Sequence, residues 1–212
     1  MAFGQTEFAS GLKALGINVS RETLQRLETY AALLAKWQAK INLVGPATLP
    51  DLWRRHFLDS AQLLPLLPAA GGTLVDLGSG AGFPGLVLAI MTGWRVHLVD
   101  SDQRKCAFLR QVALDCGALD RVTIHAKRIE QVTGMAADVV TARACAPLGE
   151  LLELAEPFIG EKGTGLFLKG AQAEEELTQA QRHWTMRLDR RESISDPAGV
   201  ILIVRNLNRK SK

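Results

Sequence analysis

Cysteine is scarce in this 212-residue chain, which has only Cys106, Cys116 and Cys145. The number is odd and no two stand in C-x-x-C spacing. That excludes a paired disulfide framework and a zinc knuckle and leaves reduced, mostly buried thiols; no metal site is expected. Long hydrophobic runs are lacking too. Leu86–Met91 is closed by Thr92 and Gly93, and Leu63–Leu67 is broken by Pro65 and closed by Pro68. Nothing approaches the roughly 18 apolar residues of a membrane helix. The N-terminus does not show the basic-then-apolar layout of a signal peptide, so a cytoplasmic protein with no membrane contact is expected. Internal repeats and low-complexity segments are absent as well.

What is present is a globular composition, 47% apolar, in a chain long enough for one α/β domain with a large core and a small appendage. The net charge of +3 is unevenly placed. Arg205, Arg209, Lys210 and Lys212 stand in the last eight residues with no acid, leaving 21 basic against 22 acidic residues in the first 204. Such a tail is either a phosphate-seeking element or a frayed, solvated end.

Leu24, Leu27, Ala31, Leu34 and Trp37 recur at intervals of three or four, which predicts an amphipathic helix over Arg21–Trp37 with Ser20 as its N-cap. A second helix is expected over Asp51–Leu64, ended by Pro65 and Pro68. After Gly71 and Gly72 the texture changes to short β-type runs, Thr73–Leu77, Arg95–Val99, Val122–His125, Asp138–Thr141, Gly165–Leu168 and Val200–Val204, separated by helical stretches. Alternation of this kind predicts parallel strands with helical crossovers in a doubly wound sheet. The expected division is a helical cap over residues 1–68 and a ligand-binding domain over 69–212.

The stretch Val75–Gly85, VDLGSGAGFPG, follows the first of these strands. Gly80, Gly82 and Gly85 satisfy G-x-G-x-x-G, and Asp100 ends the next strand where a ribose-binding acid belongs, so a dinucleotide fits the bare pattern. Asp76 argues against it, because a carboxylate two residues before Gly78 would repel a pyrophosphate. The same carboxylate suits a ligand with an ammonium group and a sulfonium centre, namely S-adenosylmethionine. A P-loop is excluded, since Leu86 and Val87 follow Gly85 where Lys-Ser/Thr would be required. Asp100 is the expected ribose ligand, the competing reading being a cap for the helix that starts near Asp102. Arg128, Ile129 and Glu130, after the third strand, are expected at the adenine edge.

Six blocks, taken together, are more specific than the loop. YAALLAKWQAKINLVG (30–45), RHFLDS (55–60), DLGSGAGFPG (76–85), VDSDQRKCAFLRQV (99–112), DVVTARACAPL (138–148) and LFLKG (166–170) resemble the RsmG family, formerly GidB, the bacterial small-subunit rRNA guanine-N7 methyltransferases. The resemblance runs in order over about residues 20–170. It implies a Rossmann-like class I methyltransferase fold with a mostly parallel seven-stranded sheet. It further implies cofactor contacts at Gly78, Phe83, Ile129, Glu130 and Arg143, and a target guanine in the decoding-region loop of 16S rRNA. The partner is then 16S rRNA or the small-subunit particle, met by a monomer. With Asp76, Gly80, Gly82 and Asp100 these make the expected cofactor site.

Guanine N7 carries a free lone pair, so its methylation needs alignment and no general base; no catalytic proton-transfer residue is expected. The loop after the fourth strand, Thr141–Pro147, lacks the Asn/Asp-Pro-Pro-aromatic run that receives an exocyclic amine. Cys145 raises a cytosine-C5 mechanism, but the Pro-Cys pair of that chemistry is missing. Arg143 is a tether for the loop or a ligand for the cofactor carboxylate or an RNA phosphate. Arg54, Arg55 and Lys169, with Arg104, Lys105 and the tail, are the expected RNA contacts. His56 is expected to pair with Asp59, and Glu174–Glu176 to be a solvated helix start. The reading from another class is an NAD-dependent oxidoreductase or a non-catalytic cofactor-binding regulator.

Overall fold

Strand β1 (Thr73–Leu77) is buried on both faces from Leu74 onward, as a strand covered by helices on either side must be. It pairs in parallel with β2 (Arg95–Val99) and β4 (Ala137–Arg143), and β2 pairs in parallel with β3 (Val122–His125). β4 continues to β5 (Ile159–Lys169), after which β6 (Trp184–Glu192) and β7 (Val200–Arg209) form an antiparallel hairpin. The computed structural model, which describes residues 4–210, therefore has one seven-stranded sheet in the order β3-β2-β1-β4-β5-β7-β6. The order reverses between β1 and β4, and the crevice outside the carboxyl ends of those strands is where such sheets hold ligands.

The helices α4 (Gly85–Met91) and α5 (Gln103–Asp115) cover one face of the sheet, and α6 (Leu148–Ala155) and α7 (Ala173–Ala180) the other. The cap adds α1 (Gln5–Ala14) and α2 (Arg21–Gln38) on the α4/α5 side, where Phe8, Tyr30, Leu34 and Phe57 share one buried cluster with Leu86, Leu98 and Ile203. Ser20 caps α2 as expected, its Oγ accepting the Thr23 amide at 3.0 Å. The helix expected over Asp51–Leu64 is instead segmented. A 3-10 turn, Pro46–Asp51, leads into a wide π-type turn, Trp53–Leu58, then into the short α3 (Asp59–Ala61) and a second 3-10 turn, Leu64–Leu66. The wide turn has a use. The Arg55 carbonyl accepts a hydrogen bond from Arg143 Nη1 on β4 at 2.9 Å.

The basic tail is not frayed where it is described. β7 starts beside Lys169 at the crevice end and finishes opposite Trp184 at the far end of the sheet. Arg205 pairs with Asp189 at 2.6 Å, Arg209 pairs with Glu153, and Lys210 Nζ donates to the Gln181 carbonyl at 2.7 Å. These cations point away from the crevice region; Lys212 lies outside the described residues. No helix among the described residues is long and apolar enough to cross a membrane.

Candidate active site

A cavity of about 750 Å³ opens at the strand ends. Its first wall is backbone. Gly78 and Gly80 turn with φ of +63° and +56°, a region a Cβ disfavours. A Cβ on Gly78 would press on Cys145 Sγ at 2.6 Å, so this glycine lets the loops after β1 and β4 meet. A Cβ on Gly80 would meet nothing closer than 3.8 Å, so the chain there lies open. Asp100 lines the same wall and stiffens it, its carboxylate accepting the amides of Gly80 and Asp102, each at 2.8 Å. Asp102, not Asp100, caps α5, taking the Arg104 amide at 2.8 Å.

Two expected members of this wall stand behind it. Asp76 is fully buried and absent from the cavity lining: Thr141 donates to its Oδ1 at 2.7 Å, and a Cβ on Gly85 would meet its own Cβ at 2.6 Å. Direct contact with a ligand's ammonium is therefore closed to it. Its Oδ2 has no hydrogen-bond partner, and burial lifts the carboxyl to about 6 despite the Thr141 bond. Gly82, at φ +94°, faces the cap, where a Cβ would meet the Tyr30 hydroxyl at 2.5 Å.

The second wall is made of side chains. Phe83 is stacked on Tyr30 (centroids 5.2 Å apart, planes 6° apart), while the Arg143 guanidinium lies 5.1 Å from its centroid on β4's side. Tyr30 also donates its hydroxyl to the Ala81 carbonyl, which fastens the cap to the glycine loop. Arg143 is fully engaged by the cap. Besides the Arg55 carbonyl it reaches Asp59 at 3.2 Å and donates from Nη2 to His56 Nδ1 at 2.8 Å. An arginine can only donate, so Nδ1 accepts and the imidazole proton sits on Nε2, which donates to Thr48 Oγ1 at 2.7 Å; the Thr48 hydroxyl passes on to the Gly45 carbonyl. Burial, then the charges of Arg143 and Arg55, push the His56 ring down to about 3. His56 is thus a neutral link between Arg143 and Thr48, and the pairing expected with Asp59 is made by Arg143 instead. Asp59 in turn accepts from Ser195 Oγ at 2.5 Å, tying the cap to the turn between β6 and β7.

At the far end, Lys169 is 9% exposed and pairs with Glu176 Oε2 at 2.6 Å while donating to the Ala146 carbonyl at 2.8 Å. It is not a free strand-end cation. Glu176, expected in solvent, lines the cavity; sequence reasoning missed it because three consecutive glutamates read as a helix surface. Arg55 lines the cavity and pairs with Asp196 at 2.6 Å, whereas Arg54 lies outside it, on Asp51. Ile129 and Glu130 form a 3-10 turn beyond the lining. Cys145 lines the cavity with its thiol raised to about 11, chiefly by burial and then by the Asp76 charge. No group of three or more potential metal ligands occurs among the described residues.

Residues 23–199 match the family described as GidB, rRNA small subunit methyltransferase G. The chain belongs to that family. It is 59% identical over 191 residues to the ribosomal RNA small subunit methyltransferase G of Paramagnetospirillum magneticum, covering 90% of this chain and 92% of that one. The counterpart of that name in Rhodospirillum rubrum is 54% identical over 196 residues, 92% and 96% of the two chains. Among solved structures, the ribosomal protein L11 methylase of Lactobacillus delbrueckii superposes with a TM-score of 0.56 at 17% identity, over 72% of this chain and 79% of that one. M. jannaschii TYW2 in complex with AdoMet gives 0.57 at 14% identity, over 81% and 80%. These two show that the fold of this chain is shared by more distant proteins.

Proposed function

We propose that this chain transfers the methyl group of S-adenosylmethionine to N7 of a guanine in the decoding-region loop of 16S rRNA. The observation that carries the reading is one continuous cavity, reaching from Gly78, Gly80 and Asp100 past Cys145 to Lys169 and Glu176, in a member of this family. A cofactor and a base share a chamber of that length. The alternative of a dinucleotide oxidoreductase finds no support in the family match.

The residues present fit S-adenosylmethionine. Gly78 and Gly80 present bare backbone, Asp100 keeps lone pairs for ribose hydroxyls beyond its two amide bonds, and Phe83 closes the floor. Asp76 acts from behind, an acceptor whose unpartnered Oδ2 lies under the turn that would carry the cofactor's amino-acid end. Gly82 serves by admitting Tyr30, and Ile129 and Glu130 by backbone at the adenine edge. Bound S-adenosylmethionine supplies a methyl group on a positively charged sulfur. Guanine N7 carries a free lone pair, so attack on that methyl group would ask no proton transfer of this chain's residues. What this chain provides is alignment, an effective-molarity gain of several kcal/mol and up to about 7–11 in ideal cases. Arg143 holds the loop after β4 against the cap for that purpose. Arg55, which lines the cavity, and Arg54, outside it, with side chains 38% and 44% exposed, are in this reading the RNA-facing cations.

In this reading the cap over residues 1–68 and the methyltransferase domain over 69–212 act as one unit, through the cluster that Tyr30 and Phe57 share with Leu86 and Leu98, and the protein acts as a monomer. The test is mass mapping of small-subunit rRNA from a strain lacking the gene. A guanine mass gain of one methyl in the decoding-region loop, restored by the purified protein with S-adenosylmethionine, is expected. Unmodified rRNA after incubation, or methylation at another base, refutes the reading.

A further inference from the structure

We propose that Glu176 reads the target base, accepting hydrogen bonds from N1–H and the N2 amino group of guanine. The inference rests on the function proposed above and names the residue that selects its base. The carboxylate is held in place from one side only. Its Oε2 takes the Leu148 amide at 2.7 Å and the Lys169 ammonium at 2.6 Å, and Lys169 is in turn fixed on the Ala146 carbonyl. Among the described residues Oε1 has no hydrogen-bond partner, and Glu176 lines the cavity. A carboxylate oxygen has two lone pairs and donates nothing.

Only one base meets such a group well. Guanine presents two adjacent donors, N1–H and N2–H, on the edge away from N7. Adenine offers an acceptor at N1 and only a C–H at C2; cytosine sets two acceptors, N3 and O2, beside its N4 amino group, and uracil has a single donor, N3–H, between two acceptors. The placement also fits the reaction. The loop Cys145–Leu148 runs from contact distance of Gly78 to the Glu176 carboxylate, so a base held at Glu176 lies in the same chamber as the glycine loop. N7 methylation leaves positive charge on the ring and makes N1–H and N2–H stronger donors. A fixed carboxylate therefore binds the transition state more tightly than the ground state, and its loss falls on kcat as well as on KM.

The experiment compares two bases and three proteins. Small-subunit particles are assembled with rRNA carrying either guanosine or inosine at the target position, inosine lacking only the N2 amino group. Wild type should methylate the inosine particle with kcat/KM lower by about 10–100-fold, the range for a lost hydrogen bond to a charged group. Glu176→Gln keeps the Leu148 bond through its carbonyl and so turns its NH2 toward the base. It should lose about 100-fold on guanosine and treat the two bases within about twofold, with S-adenosylmethionine affinity unchanged. Glu176→Asp, which draws the carboxylate back by one methylene, should lose the discrimination too. A clamp for the Ala146–Leu148 loop alone would slow both bases equally and leave the guanosine preference intact in the variants, which overturns the proposal. So does a wild type indifferent to inosine. If wild type fails to methylate the guanosine particle at all, the function itself falls, and this assignment with it.

Discussion

The two walls of the crevice are built by opposite means. The glycine-loop wall is shaped by backbone turns at Gly78 and Gly80 and fixed by amide bonds to Asp100, whereas the cap wall is a chain of side chains, Thr48, His56, Arg143 and Asp59. Backbone shape depends on the absence of a Cβ, and the only titrating groups among the described residues that hold this wall are the carboxylates of Asp100 and, behind it, Asp76. A side-chain wall responds to protonation and to each truncation. The glycine-loop wall is thus shaped by sterics and the cap side by matched hydrogen bonds, and they meet at Phe83 and Tyr30.

The largest effect is expected where the walls join. Gly82→Ala would force a non-glycine residue to φ +94° and press a Cβ on Tyr30, Leu86 and Leu109 within 3 Å. Left-handed strain and overpacking together should cost about 3 kcal/mol or more in urea unfolding. Gly80→Ala meets open space, so its cost is only the left-handed strain, about 1–2 kcal/mol, and the loss appears in S-adenosylmethionine titration. Equal destabilisation by the two would erase the contrast between a glycine that admits the cap and one that admits a ligand.

Next in size is a pH effect that separates the walls by sign. Asp76 has a folded value of about 6 against 3.8, so its contribution is fully present below about 4 and lost as pH rises through 6. His56, at about 3 against 6.5, does the reverse: its contribution is present above 6.5 and lost as pH falls toward 3. The two oppose each other across the same acid window. Asp76→Asn, which still accepts from Thr141, should gain about 3 kcal/mol over wild type at pH 7.5 and almost nothing at pH 4. A difference between variant and wild type that stays flat from pH 4 to 7.5 would mean that Asp76 is not the buried ionising group.

The smallest effect belongs to Cys145, which lines the cavity beside Gly78. With its thiol raised to about 11 there is no thiolate at neutral pH, so Cys145→Ser should keep methylation within about threefold of wild type. An inactive variant that still folds and binds S-adenosylmethionine would restore a thiolate mechanism.

The sequence was most readable where pattern and packing agree. β1, β2 and β3 fall on the residues expected, because each is a short run rich in β-branched and apolar residues, even at the sheet edge where β3 lies. β6 was missed because an edge strand carries Arg187, Asp189, Arg190 and Arg191 in place of an apolar face, a common guard against edge pairing. α1 was missed as well; Gly4 and Glu7 form its cap, and glycine is a weak helix signal. The helix over Asp51–Leu64 failed for another reason. Apolar spacing does not show a wide turn that releases a carbonyl to a distant arginine. In the site, Gly78, Gly80, Phe83, Asp100, Arg143, Arg55 and Lys169 do line the cavity. The burial of Asp76 and the pairing of Lys169 with Glu176 were invisible, since each depends on which residues of other elements arrive beside them.

The contacts from the cap to the turn between β6 and β7 join residues far apart in the order of synthesis. Arg55 waits for Asp196, 141 positions later, and Asp59 for Ser195, 136 later. On a translating ribosome the cap emerges well before these partners, and its anchors are not made until the hairpin of β6 and β7 has left the exit tunnel. The growing chain therefore carries an unfinished crevice until the hairpin of β6 and β7 has folded back onto the cap.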